Sequence, residues 1–256
     1  MGTFKKFVEL HQNTTPFLLG NIWDVKSAQV FEASGYQAIG TSSQALANSF
    51  GYEDGEKLPF EIILQLAKRV VELVQIPFSV DLEGGHSRTV SGIIGHIEKL
   101  HDVGVAGINL EDTIAGSTRT LQSVADFQQL LLAISNHIER HNLKIFLNIR
   151  TDGFLLGMPA ALQETLSRIN VYQNSGADGI FVPCITKKDD IIEVVKSTSL
   201  PINVMCMPGL PDFKQLEMLG VKRISMGGFF FNRLYEDALK RSAAIVNERD
   251  FSAIFS

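Results

Sequence analysis

Cysteine is scarce: the 256 residues contain two, Cys184 and Cys206. They form no C-x-x-C pair and no spacing that suits zinc, so no disulfide framework is expected and a reducing, cytoplasmic setting is. Basic clusters are equally few. The densest, Lys187-Lys188 and Lys222-Arg223, are single pairs in a chain of net charge −5, and read as solvated charges. That balance argues against nucleic acid as a partner. No apolar run is long enough to span a bilayer, and residues 1–6 lead into no apolar stretch of the signal-peptide kind. Gly2 lacks the Ser or Thr that a myristoylation motif needs. No linker or low-complexity tract divides the chain, so one domain over 1–256 is expected. The phosphate fingerprint G-x-G-x-x-G is missing too, which counts against a doubly wound nucleotide-binding sheet.

What is present is regular. Short apolar runs fall at 17–23, 38–42, 78–82, 107–110, 145–149, 179–183, 202–205 and 223–226. Most are continuously apolar, as parallel strands covered on both faces should be. Between them lie stretches with helical periodicity, such as Ile62, Leu66, Val70, Leu73 and Ile93, Ile97, Leu100. Several of these stretches close on a glycine (Gly35, Gly104, Gly176, Gly220), which suits a left-handed helix end. Eight such units in 256 residues predict an α/β fold, a (β/α)8 barrel.

In such a barrel, chemistry sits at the C-terminal ends of the strands. There the sequence places Trp23, Asp24, Ser42, Ser43, Asp81, Glu83, Glu111, Asp112, Arg150, Asp152, Cys184 and Cys206. Asp81 and Glu83 share one side of an extended chain, because strand side chains alternate. Two like charges at a strand end repel, and a hard divalent cation with oxygen ligands offsets that; the alternative is that Asp81 caps the next helix. The ligand types favour Mg²⁺ over zinc, with Mn²⁺ as a substitute. Glu111 is a direct ligand or holds a metal-bound water, whereas Asp112 divides evenly between site and cap. Arg150 is either a buried partner of Asp152 or Glu111 or a forked clamp on a substrate carboxylate. Thr41, Ser42, Ser43 and Gln44 offer hydroxyls and backbone N–H groups for an anion, or form an ordinary cap. Trp23, at the first strand's end, joins the substrate-binding candidates. The loop 48–56 is polar and either reaches over the mouth or is solvated. His86 is an acid/base candidate or a structural histidine. Cys184 and Cys206 read as buried packing residues rather than nucleophiles.

These pieces, in this order, resemble the isocitrate lyase/phosphoenolpyruvate mutase superfamily. They are Asn21-Ile22-Trp23-Asp24 with Ser27-Ala28; Ala38 to Ser43; Gly51-Tyr52-Glu53-Asp54-Gly55-Glu56; and Val80-Asp81-Leu82-Glu83-Gly84-Gly85. They continue with Gly104 to Gly107, Leu110-Glu111-Asp112, Ile149-Arg150-Thr151-Asp152, Gly176 to Pro183 and Gly220 to Ser225. The resemblance implies a barrel, often a dimer or tetramer that exchanges its last helix. It also implies Mg²⁺ and a small α-keto or α-hydroxy carboxylate substrate, with a C–C or C–P bond made or broken beside a carboxylate. It makes Asp81 the direct metal ligand and gives Glu83 and Glu111 the metal's water shell. Ser42, Ser43 and Gln44 then bind the substrate's carboxylate or phosphoryl end, Arg150 its carboxylate, and Asp54 lines the pocket. One loop departs. After Glu111-Asp112 the chain reads Thr-Ile-Ala-Gly-Ser-Thr-Arg over 113–119, without the lyases' Lys-Lys-Cys-Gly-His or the mutase's lysine and asparagine. The metal motif is Asp-x-Glu rather than Asp-x-Asp, followed by Gly-Gly-His rather than Gly-Tyr-Gly. The expectation is therefore an Mg²⁺-dependent lyase or decarboxylase of a small keto di-acid, with Arg150, Glu111 and His86 as catalytic candidates. The alternatives are a C–P bond enzyme (phosphonopyruvate hydrolase, or phosphoenolpyruvate or carboxyphosphonoenolpyruvate mutase) and a non-catalytic metabolite-binding barrel.

Overall fold

The computed structural model describes residues 2–116 and 118–255; Ser117 of the 113–119 loop lies outside them. The strands are β1 Phe17–Ile22, β2 Ala38–Thr41, β3 Phe78–Asp81 and β4 Gly107–Glu111; then β5 Thr113–Ile114 and β6 Thr120–Leu121; then β7 Phe146–Arg150, β8 Gly179–Val182, β9 Ile202–Met205 and β10 Arg223–Ser225. Eight of them close a parallel barrel in the order β1-β2-β3-β4-β7-β8-β9-β10. The pair β5 and β6 forms a separate antiparallel hairpin, with Thr113 opposite Leu121. The sequence pattern contained no sign of that hairpin, because two-residue strands have no period to read.

The barrel forms where the apolar runs predicted it, and every expected strand exists within a residue or two of its bounds. The four glycines expected to end helices have φ between +86° and +96°, the left-handed range. One helical stripe is rotated from its expected place. The helix Phe60–Leu73 buries Phe60, Ile63, Ala67 and Val70, while Leu73 is exposed and Ile62 and Leu66 pack at its flank. Crowding from both neighbouring helices widens the apolar face beyond a single stripe.

Two features of the interior were not visible in the strand pattern. First, the helix Thr3–Gln12 covers the N-terminal end of the barrel. Its Phe7 is fully buried and packs edge-on against Phe17 and Phe146, and His11 stacks on Phe146 at 4.1 Å. Second, the middle of the barrel is polar. Asn148 Nδ2 donates to Asn109 Oδ1 at 2.9 Å, Arg223 Nη2 donates to the same oxygen at 3.3 Å, and Asn109 Nδ2 lies 3.5 Å from Asp81 Oδ1. One apolar end and one polar ladder thus point the functional residues toward the opposite rim. No helix among the described residues is long and apolar enough to cross a membrane.

His11 Nδ1 donates to the Phe7 carbonyl at 2.8 Å. Burial, with the charge of Arg223 adding to it, lowers the His11 pKa to about 3. Between pH 6.5 and 3 the unfolded chain therefore binds the proton that the folded chain refuses, so this group's contribution is full above pH 6.5 and falls with acid. Urea unfolding at pH 7 and pH 5 should show wild type losing roughly 2 kcal/mol more than His11→Phe across that interval. Equal losses would show that His11 titrates normally.

Candidate active site

A cavity of about 330 Å³ opens at the C-terminal rim. Among its walls are Asp81, Asp54, Arg119, Arg150 and the segment Ser42-Ser43-Gln44, with Phe181, Met205 and Met207 on an apolar side. Its size is that of a small-molecule pocket. Asp81 ends β3, one residue into the rim, with its amide N–H held by Thr41 Oγ1 at 2.7 Å. Its carboxylate is 9% exposed and faces the cavity.

The chain after Asp81 turns sharply. Glu83 and His86 have φ of +49° and +51°, and Gly85 has +102°. A Cβ on Gly85 would lie 2.6 Å from Ile93, so the turn requires glycine there. The turn carries the Glu83 carboxylate behind the cavity wall, where the Glu56 N–H donates to it at 3.0 Å. His86 Nε2 lies 3.4 Å from Glu83 Oε1, on the side away from the cavity. Burial raises the pKa of Glu83, the nearby His86 imidazole opposes that, and Asp54 and Asp81 add to it.

Glu111 ends β4 and is 1% exposed. Thr113 Oγ1 and Arg119 Nη1 both donate to its Oε1, at 2.7 and 2.5 Å. Its Oε2 lies 3.2 Å from Arg150 Nη1 as an ion pair, without the alignment of a hydrogen bond. Its pKa is raised to about 7, chiefly by burial, with Asp152 and Asp81 contributing and Arg150 and Arg119 opposing. Arg150 ends β7. Its Nε and Nη2 grip the two oxygens of Asp152 at 2.6 and 3.0 Å, and its guanidinium lies 5.8 Å over the Phe181 ring. Asp152 also accepts from Thr113 at 3.1 Å and from Arg119 at 3.3 Å.

Of the residues proposed from sequence, Ser42, Ser43, Gln44, Asp54, Asp81 and Arg150 meet at the cavity. Ser42 Oγ is occupied as the cap that accepts from the Ala45 N–H. Gln44 crosses to Gly228, where an added Cβ would lie 2.0 Å from its Oε1 and would push the amide aside. Glu83 and Glu111 stand behind the wall. His86 and Trp23 do not reach it: the Trp23 ring packs edge-on against Phe231 at 5.2 Å. Asp112 is neither ligand nor cap. It is fully buried, 3.1 Å from Arg168 and 3.0 Å from the Tyr172 hydroxyl, because its alternation with Glu111 turns it outward into the helix layer. The cysteines correct their expectation as well, since Cys206 is exposed and Cys184 is half-buried at the rim. Among the described residues, no three acid, histidine or cysteine side chains converge to hold a metal by themselves.

The residue that sequence reasoning missed is Arg119. It follows the strand end by eight positions, in a loop with no apolar period, and only the β5–β6 hairpin turns it back toward Glu111.

The phosphoenolpyruvate phosphomutase family model matches residues 7–246. A protein of Mycobacterium tuberculosis (strain H37Rv) is 35% identical over 221 residues, covering 86% of this chain and 81% of its own. The oxaloacetate decarboxylase of Pseudomonas fluorescens (strain SBW25) is 23% identical over 96% of this chain and 86% of its own. A crystal structure from Burkholderia cenocepacia J2315, described as a candidate phosphonomutase, superposes with a TM-score of 0.85 at 32% identity, covering 96% of this chain and 99% of that one.

The Asp112–Arg168 pair allows a test of the scaffold behind the site. Arg168→Met leaves a buried carboxylate without its cation, which should cost about 3–5 kcal/mol in urea unfolding. A loss below about 1 kcal/mol would show that Asp112 is not dependent on that partner.

Proposed function

The chain belongs to the phosphoenolpyruvate phosphomutase family, of the isocitrate lyase/phosphoenolpyruvate mutase superfamily, and on that footing we propose a divalent-metal-dependent lyase or decarboxylase of a small α-keto di-acid. As a member of that superfamily it is an enzyme of C–C or C–P bonds. The observation that carries the finer reading is the pairing, on one cavity, of the inward-facing Asp81 carboxylate with the Arg150 guanidinium.

The residues suit a hard divalent cation such as Mg²⁺, with Mn²⁺ as a substitute. The donors around the mouth are oxygens, and the carboxylates of Asp54, Asp81, Glu83, Glu111 and Asp152 outnumber the guanidiniums of Arg119, Arg150 and Arg223. Asp81 would hold the cation directly; Glu83 and Glu111, behind the wall, would hold its water. A cation bound there supplies Lewis-acid polarisation of the keto oxygen and a carboxylate. The chain's own groups do the rest. Arg150 lines the cavity and holds a substrate carboxylate, its orientation fixed by the fork to Asp152. Ser43 and Gln44 hold the other end of the di-acid. When the C–C bond to the departing carboxylate breaks, the electron pair passes to an enolate, and Arg150 beside it offsets the developing charge. His86 lies behind Glu83, so protonation of the enolate carbon falls to water entering the mouth.

Incubation with Mg²⁺ and oxaloacetate should release pyruvate, and chelation or Asp81→Ala should abolish it. Arg150→Lys, which keeps the charge and loses the fork, should lower kcat/KM about 10²-fold. Phosphate or phosphoenolpyruvate produced from phosphonopyruvate, with no action on keto di-acids, would move the assignment to C–P chemistry. Ligand-dependent thermal shifts without product would make the chain a metabolite-binding barrel.

The same reading includes a homo-oligomer, a dimer or tetramer. The helix Phe229–Glu248 buries only Phe231 and exposes Phe230, Leu234, Tyr235, Leu239 and Val246. An apolar face of that extent on a terminal helix favours burial against another copy. Sedimentation velocity should give a multiple of 28.2 kDa, and Leu239→Asp should shift it toward monomer. A monomeric wild type would refute this.

A further inference from the structure

Arg119 turns both terminal nitrogens to carboxylates. Nη1 lies 2.5 Å from Glu111 Oε1 and 3.3 Å from Asp152 Oδ2; Nη2 lies 3.5 Å from Asp54 Oδ2 and 4.0 Å from Glu83 Oε2. All four of these oxygens belong to the acidic rim. The placement is fixed by the β5–β6 hairpin, whose Thr113 donates to the same Glu111 oxygen at 2.7 Å. The guanidinium is 19% exposed, so little water screens it from its partners.

Glu83 and Glu111 are thus the acids that Arg119 neutralises and also the acids that would order water around a divalent cation. A guanidinium hydrogen-bonded to Glu111 and ion-paired with Glu83 takes an acceptor from the water shell and repels a second cation nearby. We infer that Arg119 is a tethered counter-charge that competes with the divalent cation for Glu83 and Glu111, and so sets how tightly this chain holds its metal. The inference rests on the divalent-cation reading above. It gives the loop after β4 a role different from acid/base catalysis: the loop delivers a fixed positive charge that keeps the acidic rim neutralised when the metal is absent and lowers metal affinity when it is present.

The test is Mn²⁺ binding to the full chain, followed by the loss of the free-ion paramagnetic resonance signal, for wild type, Arg119→Met, Arg119→Gln and Asp81→Ala. Two Arg119 variants guard against one that folds poorly. Both should bind Mn²⁺ roughly tenfold or more tightly than wild type, and Asp81→Ala should abolish binding. Thermal unfolding gives a second readout. In chelator the Arg119 variants should melt below wild type, because the carboxylates lose their counter-charge; added Mn²⁺ should raise their Tm more than that of wild type. Equal or weaker Mn²⁺ binding by both variants, with Asp81-dependent binding intact in wild type, would overturn the role of Arg119 and leave the metal reading standing. No binding by any of the proteins would overturn the metal reading itself and this inference with it.

Discussion

Repulsion among the carboxylates gathered on one rim is the constraint on which the site depends. Asp54, Asp81, Glu83, Glu111 and Asp152 crowd the end of the barrel, and all but Asp54 are at most 9% exposed. Burial raises the pKa of Glu83 and Glu111, which is the local sign of that cost. Two guanidiniums answer it. Arg150 forks Asp152 from within the barrel wall, and Arg119 arrives from the hairpin beyond β4. Glu111 and Asp152 each meet both guanidiniums, so removing one leaves the other to offset two buried negative charges.

The rest of the molecule is arranged to hold that rim in place. The N-terminal helix closes the far end with Phe7 and a neutral His11, so the barrel is apolar below and polar above. Between the two ends runs the ladder Arg223–Asn109–Asp81, with Asn148 bonded to the same Asn109 oxygen. Those two donors fix the Asn109 amide with its nitrogen toward Asp81. Outside the barrel, Asp112 ties β4 to the helix Ala161–Tyr172 through Arg168 and Tyr172. Successive residues of one strand end, Glu111 and Asp112, therefore serve the site and the scaffold respectively, because alternate side chains of a strand leave on opposite faces.

Much of this was legible in the chain. Periodicity located the eight barrel strands, since each must be apolar on both faces to sit between a core and a helix layer. The strand-end rule then placed Asp81, Glu111, Arg150 and Ser42 on the same rim. It failed for Trp23, which stands at a strand end yet turns into the packing beneath the last long helix. His86, which follows the Gly pair after β3, is swung behind the wall by the left-handed turn through Glu83 and His86. Backbone torsions of that kind are set by close packing, here by Ile93 against Gly85, and leave no mark in an alternation pattern.

The sequence by itself determined the order of the eight barrel strands and the parallel barrel, which follow from local periodicity, and its ordered motifs carried the resemblance that implies the family of chemistry. Only the tertiary structure decided which acids face the cavity, that Arg150 grips Asp152 and Glu111, and that Arg119 enters the acidic cluster. The physical reason is range. A hydrophobic period is a property of neighbouring residues, whereas the partner of a buried charge is chosen by whatever the closed barrel and its hairpin bring within 4 Å. Arg119 is eight residues from Glu111 and 36 from Glu83 along the chain, and only the fold places one guanidinium between them.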